Sequence, residues 1–343
     1  MKKRFIILPL AIALLTACSN DDSEKSHNER VPLEILASID LQADPMTRAA
    51  ESSWEANDKI GVFMTTYNTS TIFEDSEHKK GYNLPYTFDD GTNYETWGNT
   101  YRLFTPNSGK IYLSSAATDV YGYYPYKEED AEGAWEKIED ENHVEKIWVA
   151  STAANAQITK LNIDLTDQRQ QNKIDLMRAY TGNVSNMNAS IELLFYHRLV
   201  KLVFNLKQGD DMLPNELKDA TSLTMTLKNQ PRKATYDIYN DKVTIPDGNT
   251  EPFGPIIPVR ASSAPTGYVR TFEAIVMPNG ANNPADKRTV EIEFYKKNND
   301  VITNTFVIPS STYFHPGYKY TFNVTVNATS IEVNTVNEYT EQW

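Results

Sequence analysis

The stretch Tyr318-Lys319-Tyr320-Thr321-Phe322-Asn323-Val324-Thr325-Val326 alternates large apolar side chains with Lys, Thr and Asn at every step. Successive side chains of an extended strand point to opposite faces, so this period of two predicts a strand with one buried face. Val290, Ile292 and Phe294 repeat the pattern against Glu291, Glu293 and Tyr295, and Leu223, Met225 and Leu227 repeat it against Thr224, Thr226 and Lys228. Shorter runs at Leu33 to Leu41, Ile60 to Thr66, Val120 to Tyr124, Leu161 to Leu165, Val243 to Ile245, Phe272 to Met277 and Val301 to Ile308 are separated by clusters of Gly, Pro, Asn and Asp. Many short strands with turn signals between them predict an all-β, mostly antiparallel chain of β-sandwich type.

Composition agrees: 20 tyrosines against only 14 glycines in 343 residues, with many Thr, Val and Ile, favour strands over helices. Glu128 to Ile147 has too few apolar positions to close a helical stripe and reads as a solvated loop. Leu213 to Ala220, with Pro214 suited to a first helical position, predicts one short helix.

The N-terminus combines Met1-Lys2-Lys3-Arg4, an apolar run from Phe5 to Leu14, and Leu15-Thr16-Ala17-Cys18. A basic segment, a short apolar run and small residues before a cleavage point make a secretory signal, and the run is too short to span a bilayer. Cys18 is the only cysteine, so no disulfide can form. Its setting resembles the bacterial lipobox, in which the thiol is acylated and the chain is cut before it. The acidic pair after Ser19-Asn20, Asp21-Asp22, resembles the signal that sends Bacteroidetes lipoproteins to the outer face of the outer membrane. A chain beginning at Cys18 carries 30 basic and 46 acidic residues, a net of −16. That balance argues against nucleic acid or anionic lipid as a partner, both of which need clustered Lys and Arg.

Residues 1–17 therefore read as a signal peptide and 18–30 as a polar tether. The long run Ile191 to Lys207 ends at Gln208-Gly209-Asp210-Asp211, which places the boundary between an N-terminal sandwich (31–208) and a C-terminal sandwich (209–343) near residue 209.

Catalytic motifs are missing. There is no Gly-x-Ser-x-Gly elbow, no phosphate-binding Gly-x-x-x-x-Gly-Lys loop and no His-Glu-x-x-His pair. His27, His78, His143, His197 and His315 are scattered, and His197, among apolar neighbours, reads as a hydrogen-bonded structural histidine. Asp89-Asp90-Gly91-Thr92-Asn93 lacks the length and terminal glutamate of a calcium loop and reads as a turn. The carboxylates of Glu128-Glu129-Asp130 and Glu139-Asp140-Glu141 read as solvated charges rather than a hydrolytic pair. Tyr121 to Tyr126 suits either sugar stacking or a strand with aromatic cross-strand pairs, the second being favoured. No enzyme, metal or cofactor is expected.

Several segments, taken in order, carry a resemblance. Thr47-Arg48-Ala49, then Trp54, then Asn57-Asp58-Lys59-Ile60-Gly61-Val62-Phe63 resembles the N-terminal signature of the fimbrillin-like proteins of Bacteroidales, with Asn57 where that signature has glycine. Val120 to Tyr126 resembles the family's Ala-Tyr-Tyr-Pro-Tyr strand with Gly122 for alanine. Ile174 to Ala179, Phe195 to Leu202, Ala274 to Pro278 and Tyr318 to Trp343 resemble later blocks.

The resemblance implies two tandem transthyretin-like β-sandwich domains in a subunit of a type V pilus, a surface fimbria serving cell adhesion. It also implies a surface lipoprotein precursor that an arginine-specific protease cuts after the first strand, here between Arg48 and Ala49. The cut would release lipidated Cys18 and the strand bearing Leu33, Ile35, Ala37, Ile39 and Leu41. A strand from another subunit, self or paralogous, would refill the groove. Ile331, Val333 and Trp343 mark the candidate donor tail. Arg48 has an equal reading as an ordinary surface arginine, because anchor subunits of the family keep their N-terminal strand and lipid. The alternative function is a non-polymerising outer-membrane surface lipoprotein that binds glycans, or the fimbrial anchor subunit; the surface ligand stays open.

Overall fold

The computed structural model describes residues 30–40, 53–96, 99–139, 145–146, 148–149, 157–158, 160–220, 222–246, 253–278, 288–296, 300–309, 312–336 and 341–342. Cys18, Leu41, Arg48, Ala49 and Trp343 lie outside the described residues. The described chain is all-β, with mostly antiparallel sheets and, as its helical element, a three-residue 3-10 turn at Gln171–Lys173. The helix expected from Leu213 to Ala220 is instead a string of turns. Asn215, directly after Pro214, takes a φ of 60°, a left-handed conformation that a continuing α-helix does not admit.

Seven strands of the N-terminal half form a closed cycle where a two-sheet sandwich was expected. Around the cycle they run Met177–Val184, Ser190–His197, Glu34–Ile39, Asn99–Pro106, Leu84–Thr96, Lys59–Thr66 and Thr118–Tyr124, which pairs back with Met177–Val184. Two register shifts accompany the closure: one between Phe88 and Asn93, the other between Thr181 and Val184. Such irregularities bend a strand and raise its twist. The first also accounts for Asp89 to Asn93, expected as a turn but found as an irregularity within the strand Leu84–Thr96.

Two glycines of the barrel strands meet aromatic rings at close range, Gly122 on the inner face and Gly61 on the outer. A Cβ on Gly122 would lie 2.7 Å from Cζ of the buried Phe195, and one on Gly61 would lie 1.9 Å from the ring of Tyr123. Gly61 lets the ring of its register partner Tyr123 lie over its backbone, and Gly122 admits the ring of Phe195 from two strands away.

The second assembly uses two sheets around one core. One sheet runs Val259–Arg260, Arg270–Val276, Val200–Gln208, Tyr318–Val326 and Ile331–Val336, with Glu341–Gln342 also on Tyr318–Val326; the other runs Phe253–Ile256, Ser222–Pro231, Thr289–Tyr295 and Val301–Val307. Tyr320, Phe322, Val324 and Val326 are all buried, as their alternation predicts, and Phe322 stacks on Phe204 at 4.9 Å. Across the opposite face, Thr271 donates to Asn205 and Asn205 to Asn323, a polar rung over three strands.

Val200–Gln208, expected with the N-terminal sandwich, pairs instead with Arg270–Val276 and, in parallel, with Tyr318–Val326. The run Ile191 to Lys207 is thus two strands, Ser190–His197 and Val200–Gln208, broken at Arg198-Leu199. The reason is a change of parity. Ile191, Leu193 and Phe195 are the buried odd positions before the break; Val200, Leu202, Phe204 and Leu206 are buried even positions after it. Leu161–Asp164, also expected in the first unit, pairs with Lys233–Asp237.

The two assemblies share a continuous junction. Trp135 packs edge-on against Tyr123 and Phe63 of the barrel and bridges to Leu161. Arg198, at the strand break, donates two hydrogen bonds to Asp241 at 2.6 and 2.8 Å, and Tyr236 donates a third at 2.7 Å. Burial pushes the Asp241 carboxyl up, but the hydrogen bonds from Arg198 and Tyr236 outweigh it and hold the group below its ordinary range.

The tight Gly122–Phe195 approach generates a stability test. Gly122→Ala should cost about 1–3 kcal/mol through overpacking. Combined with Phe195→Leu, which clears the ring from that spot, the loss in urea melts should be smaller than the sum of the two single losses. Strictly additive losses would contradict the contact.

Candidate functional site: the leading strand and its groove

Glu34–Ile39 is an interior strand of the barrel although it is the first long strand of the described chain. It runs parallel to Ser190–His197 over six register pairs, from Ser190 with Glu34 to Phe195 with Ile39. On its other side it is antiparallel to Asn99–Pro106 over three pairs, ending at Ala37 with Arg102. Backbone bonds from Leu33 to Ile111, Glu34 to Ala189 and Asp40 to Phe195, at 2.8–2.9 Å, extend the attachment at both ends. Leu33, Ile35, Ala37 and Ile39 are at most 4% exposed and belong to the barrel core with Phe104, Leu193 and Phe195. The alternation read from the sequence is therefore the alternation of a core strand, with Leu36 only half-buried.

After Asp40 the chain passes through residues 41–52, which include Arg48-Ala49, and returns at Ser53-Trp54. Trp54 is a core residue, and sequence reasoning used it only as part of a signature. Its indole N–H donates to the Ala37 carbonyl at 3.1 Å. Its ring meets Phe104, Phe195 and Tyr124 edge-on, at centroid distances of 5.0, 5.3 and 5.5 Å. The signal available in the sequence was a lone tryptophan just before a strand, too general to name its partner.

The turn following Trp54 explains the departure at Asn57. That residue has a φ of 74°, the left-handed region that glycine enters freely and asparagine tolerates. Asp58 closes the turn by accepting from the Glu55 N–H at 2.7 Å and from the Tyr124 hydroxyl at 3.1 Å, and burial raises its carboxyl above the ordinary range. A cavity of about 120 Å³ opens beside this corner, lined by Ile39, Trp54, Asp58, Tyr124, Asp175 and Ile275 among others.

The candidate donor tail sits elsewhere. Ile331–Val336 is the terminal strand of its sheet, antiparallel to Tyr318–Val326, with a register shift between Phe322 and Val324. Ile331 and Val333 are half-buried there, and Glu341–Gln342 pairs with Tyr318 and Lys319. Among the described residues the tail strands pair with Tyr318–Val326 and with no strand of the barrel.

His197 and Asp175 are both buried, with Nδ1 2.9 Å from Oδ1, a structural pair joining two strand ends. Among the described residues no three His, Cys, Asp or Glu side chains converge to hold a metal. Tyr121, Tyr123 and Tyr124 are buried in the strand Thr118–Tyr124, as the cross-strand reading expects, and Tyr126 just beyond it is half-buried.

The fimbrillin-like family model matches residues 47–343. The chain belongs to the fimbrillin-like family. This membership sets it among structural proteins rather than enzymes. The candidate fimbrium subunit Fim1C of Bacteroides uniformis is 26% identical over 256 residues, spanning 73% of this fimbrillin-like chain and 70% of the relative. The fold recurs in the crystal structure of a candidate cell adhesion protein of Bacteroides uniformis, 22% identical with a TM-score of 0.58 over 92% of this chain and 98% of the other. It recurs again in a candidate cell adhesion protein of Bacteroides ovatus, 18% identical with a TM-score of 0.58 over the same shares.

The unequal burial of leading strand and tail gives a direct expectation. Ile35→Ala should destabilise the uncut chain by about 2–5 kcal/mol. Val333→Ala on the edge strand should cost less than about 1.5 kcal/mol. Denaturant melts distinguish them, and equal losses would contradict the leading strand's place in the core.

Proposed function

We propose that this fimbrillin-like chain is a structural subunit of a surface fimbria that assembles by protease-triggered strand exchange and contributes to cell adhesion. Its two halves act as tandem transthyretin-like domains. The precursor is exported, acylated at Cys18 and held at the surface of the outer membrane. Several acyl chains on one residue anchor firmly where a single chain binds only marginally. An arginine-specific protease then cuts between Arg48 and Ala49, freeing the product from its lipid and from the leading strand.

One observation carries this reading. Glu34–Ile39 is built into the barrel core, yet it lies wholly outside residues 47–343 that the family model covers. The matched span begins one residue before Arg48 and does not include the strand that completes this barrel. Losing that strand leaves the edges of Ser190–His197 and Asn99–Pro106 unpaired and uncovers the aliphatic core. At about 1.5–3 kcal/mol for each buried aliphatic side chain, Leu33, Ile35 and Ile39 hold the strand in place before cleavage and make refilling favourable after it. A strand from another subunit restores both ladders by β-augmentation. The tail from Ile331 to Trp343 is the donor, its strand being alternating and terminal in its sheet.

Limited trypsin treatment of the chain lacking residues 1–18, followed by light scattering, tests this. Polymers are expected after cleavage at Arg48, and not when residues 331–343 are deleted. A chain that is cut at Arg48, sheds its leading strand and stays a folded monomer would overturn the proposal in favour of an anchor or a glycan-binding lipoprotein.

A further inference from the structure

The indole of Trp54 belongs to the part of the chain that remains after a cut at Arg48, while the carbonyl it holds belongs to the part that leaves. The antiparallel ladder of the leading strand with Asn99–Pro106 ends at the Ala37–Arg102 pair, and the indole N–H takes the Ala37 carbonyl at that point. A side chain here adds a donor to the main-chain pairing at the last rung. The ring itself is fixed by parts of the barrel other than the leading strand: Phe104 and Phe195 on the two strands flanking the groove, and Tyr124 at the barrel corner. The donor stays aimed into the groove because those contacts do not depend on the strand that fills it.

We infer that Trp54 is a positioning residue for strand exchange, its indole N–H serving as a fixed hydrogen-bond donor to the main chain of whichever strand occupies the groove. The ligand is a backbone carbonyl of an extended segment, at the height that Ala37 occupies. This inference rests on the exchange reading above. A donor aimed at a carbonyl is blind to side-chain identity, so one tryptophan serves both the chain's own leading strand and an incoming strand of different sequence. It is not blind to placement. A slip of one residue turns the carbonyl at that height to the opposite edge and reverses every side chain between core and solvent. An incoming strand therefore meets a backbone constraint and a side-chain constraint that agree on a single parity.

The bond can be weakened from either side. The full chain without residues 1–18 is cut at Arg48 and separated from its leading segment. A labelled synthetic peptide of residues 31–41 is then titrated into it, either as the parent peptide or with a thioamide in place of the Ala37 carbonyl, which makes that position a poorer acceptor. The same titrations are made with Trp54→Phe, which keeps an aromatic ring against Phe104, Phe195 and Tyr124 but has no N–H. With Trp54 present, the thioamide should weaken binding by about three- to tenfold, the range for one neutral hydrogen bond. With Trp54→Phe, the thioamide should weaken binding less, since only the main-chain pairing with Arg102 is then left for it to disturb. An equal thioamide effect in both proteins, or none in either, overturns the inference while peptide binding itself upholds exchange. If the unmodified groove binds no parent peptide, the exchange reading fails and this inference fails with it. Should Trp54→Phe not fold, the unmodified groove decides alone, since equal binding of the two peptides overturns the inference.

Discussion

The barrel depends on one insertion: Glu34–Ile39 lying between Ser190–His197 and Asn99–Pro106. It combines a parallel ladder to the first with an antiparallel ladder to the second. A closed cycle has no edge, and closure is the most complete protection a sheet can have against pairing with another chain. Here the protection rests on an element joined to the rest of its unit only through residues 41–52. Severing that connection leaves the strand held by packing and hydrogen bonds alone. In the proposed reading, the geometry that closes the uncut barrel is also what would leave a cut chain with two open strand edges.

The rest of the fold keeps the groove's walls in place. The Ser190–His197 wall continues through Arg198-Leu199 into Val200–Gln208, an interior strand of the second assembly. At that corner Arg198 reaches Asp241, Tyr236 shares the same carboxylate, and Gly317 donates to the Leu199 carbonyl at 2.8 Å. Trp135, Leu161 and Ile163 extend one apolar cluster from the outer face of the barrel into the second core. A wall anchored in a second core is less free to collapse when its neighbour leaves, and a groove that keeps its width can accept a new strand without first being rebuilt.

Much of this was legible in the sequence because a strand's apolar period is a local property. The alternations at Tyr318 to Val326, Val290 to Phe294 and Leu33 to Ile39 each became strands with the expected inner face. What the period does not carry is partnership. That Glu34–Ile39 lies parallel to a strand more than 150 residues later is a tertiary fact with no local trace. The break at Arg198-Leu199 did leave a trace, the switch of buried parity from odd to even, which was passed over because both halves of the run are equally apolar. Closure of the barrel was hidden for a similar reason, since the register shifts that accompany it fall among Asp, Gly and Thr residues that otherwise signal a turn. The role of Trp54 depends on a contact across 17 residues and a loop, so only coordinates reveal it.

The central claim is that the working subunit is the chain without its leading strand. Its most direct measurement is the N-terminal sequence of the protein in fimbriae sheared from the cell surface. The account predicts a single start at Ala49, with no lipid attached. Fimbriae whose subunits begin at an acylated Cys18, with residues 31–41 still present, would contradict it.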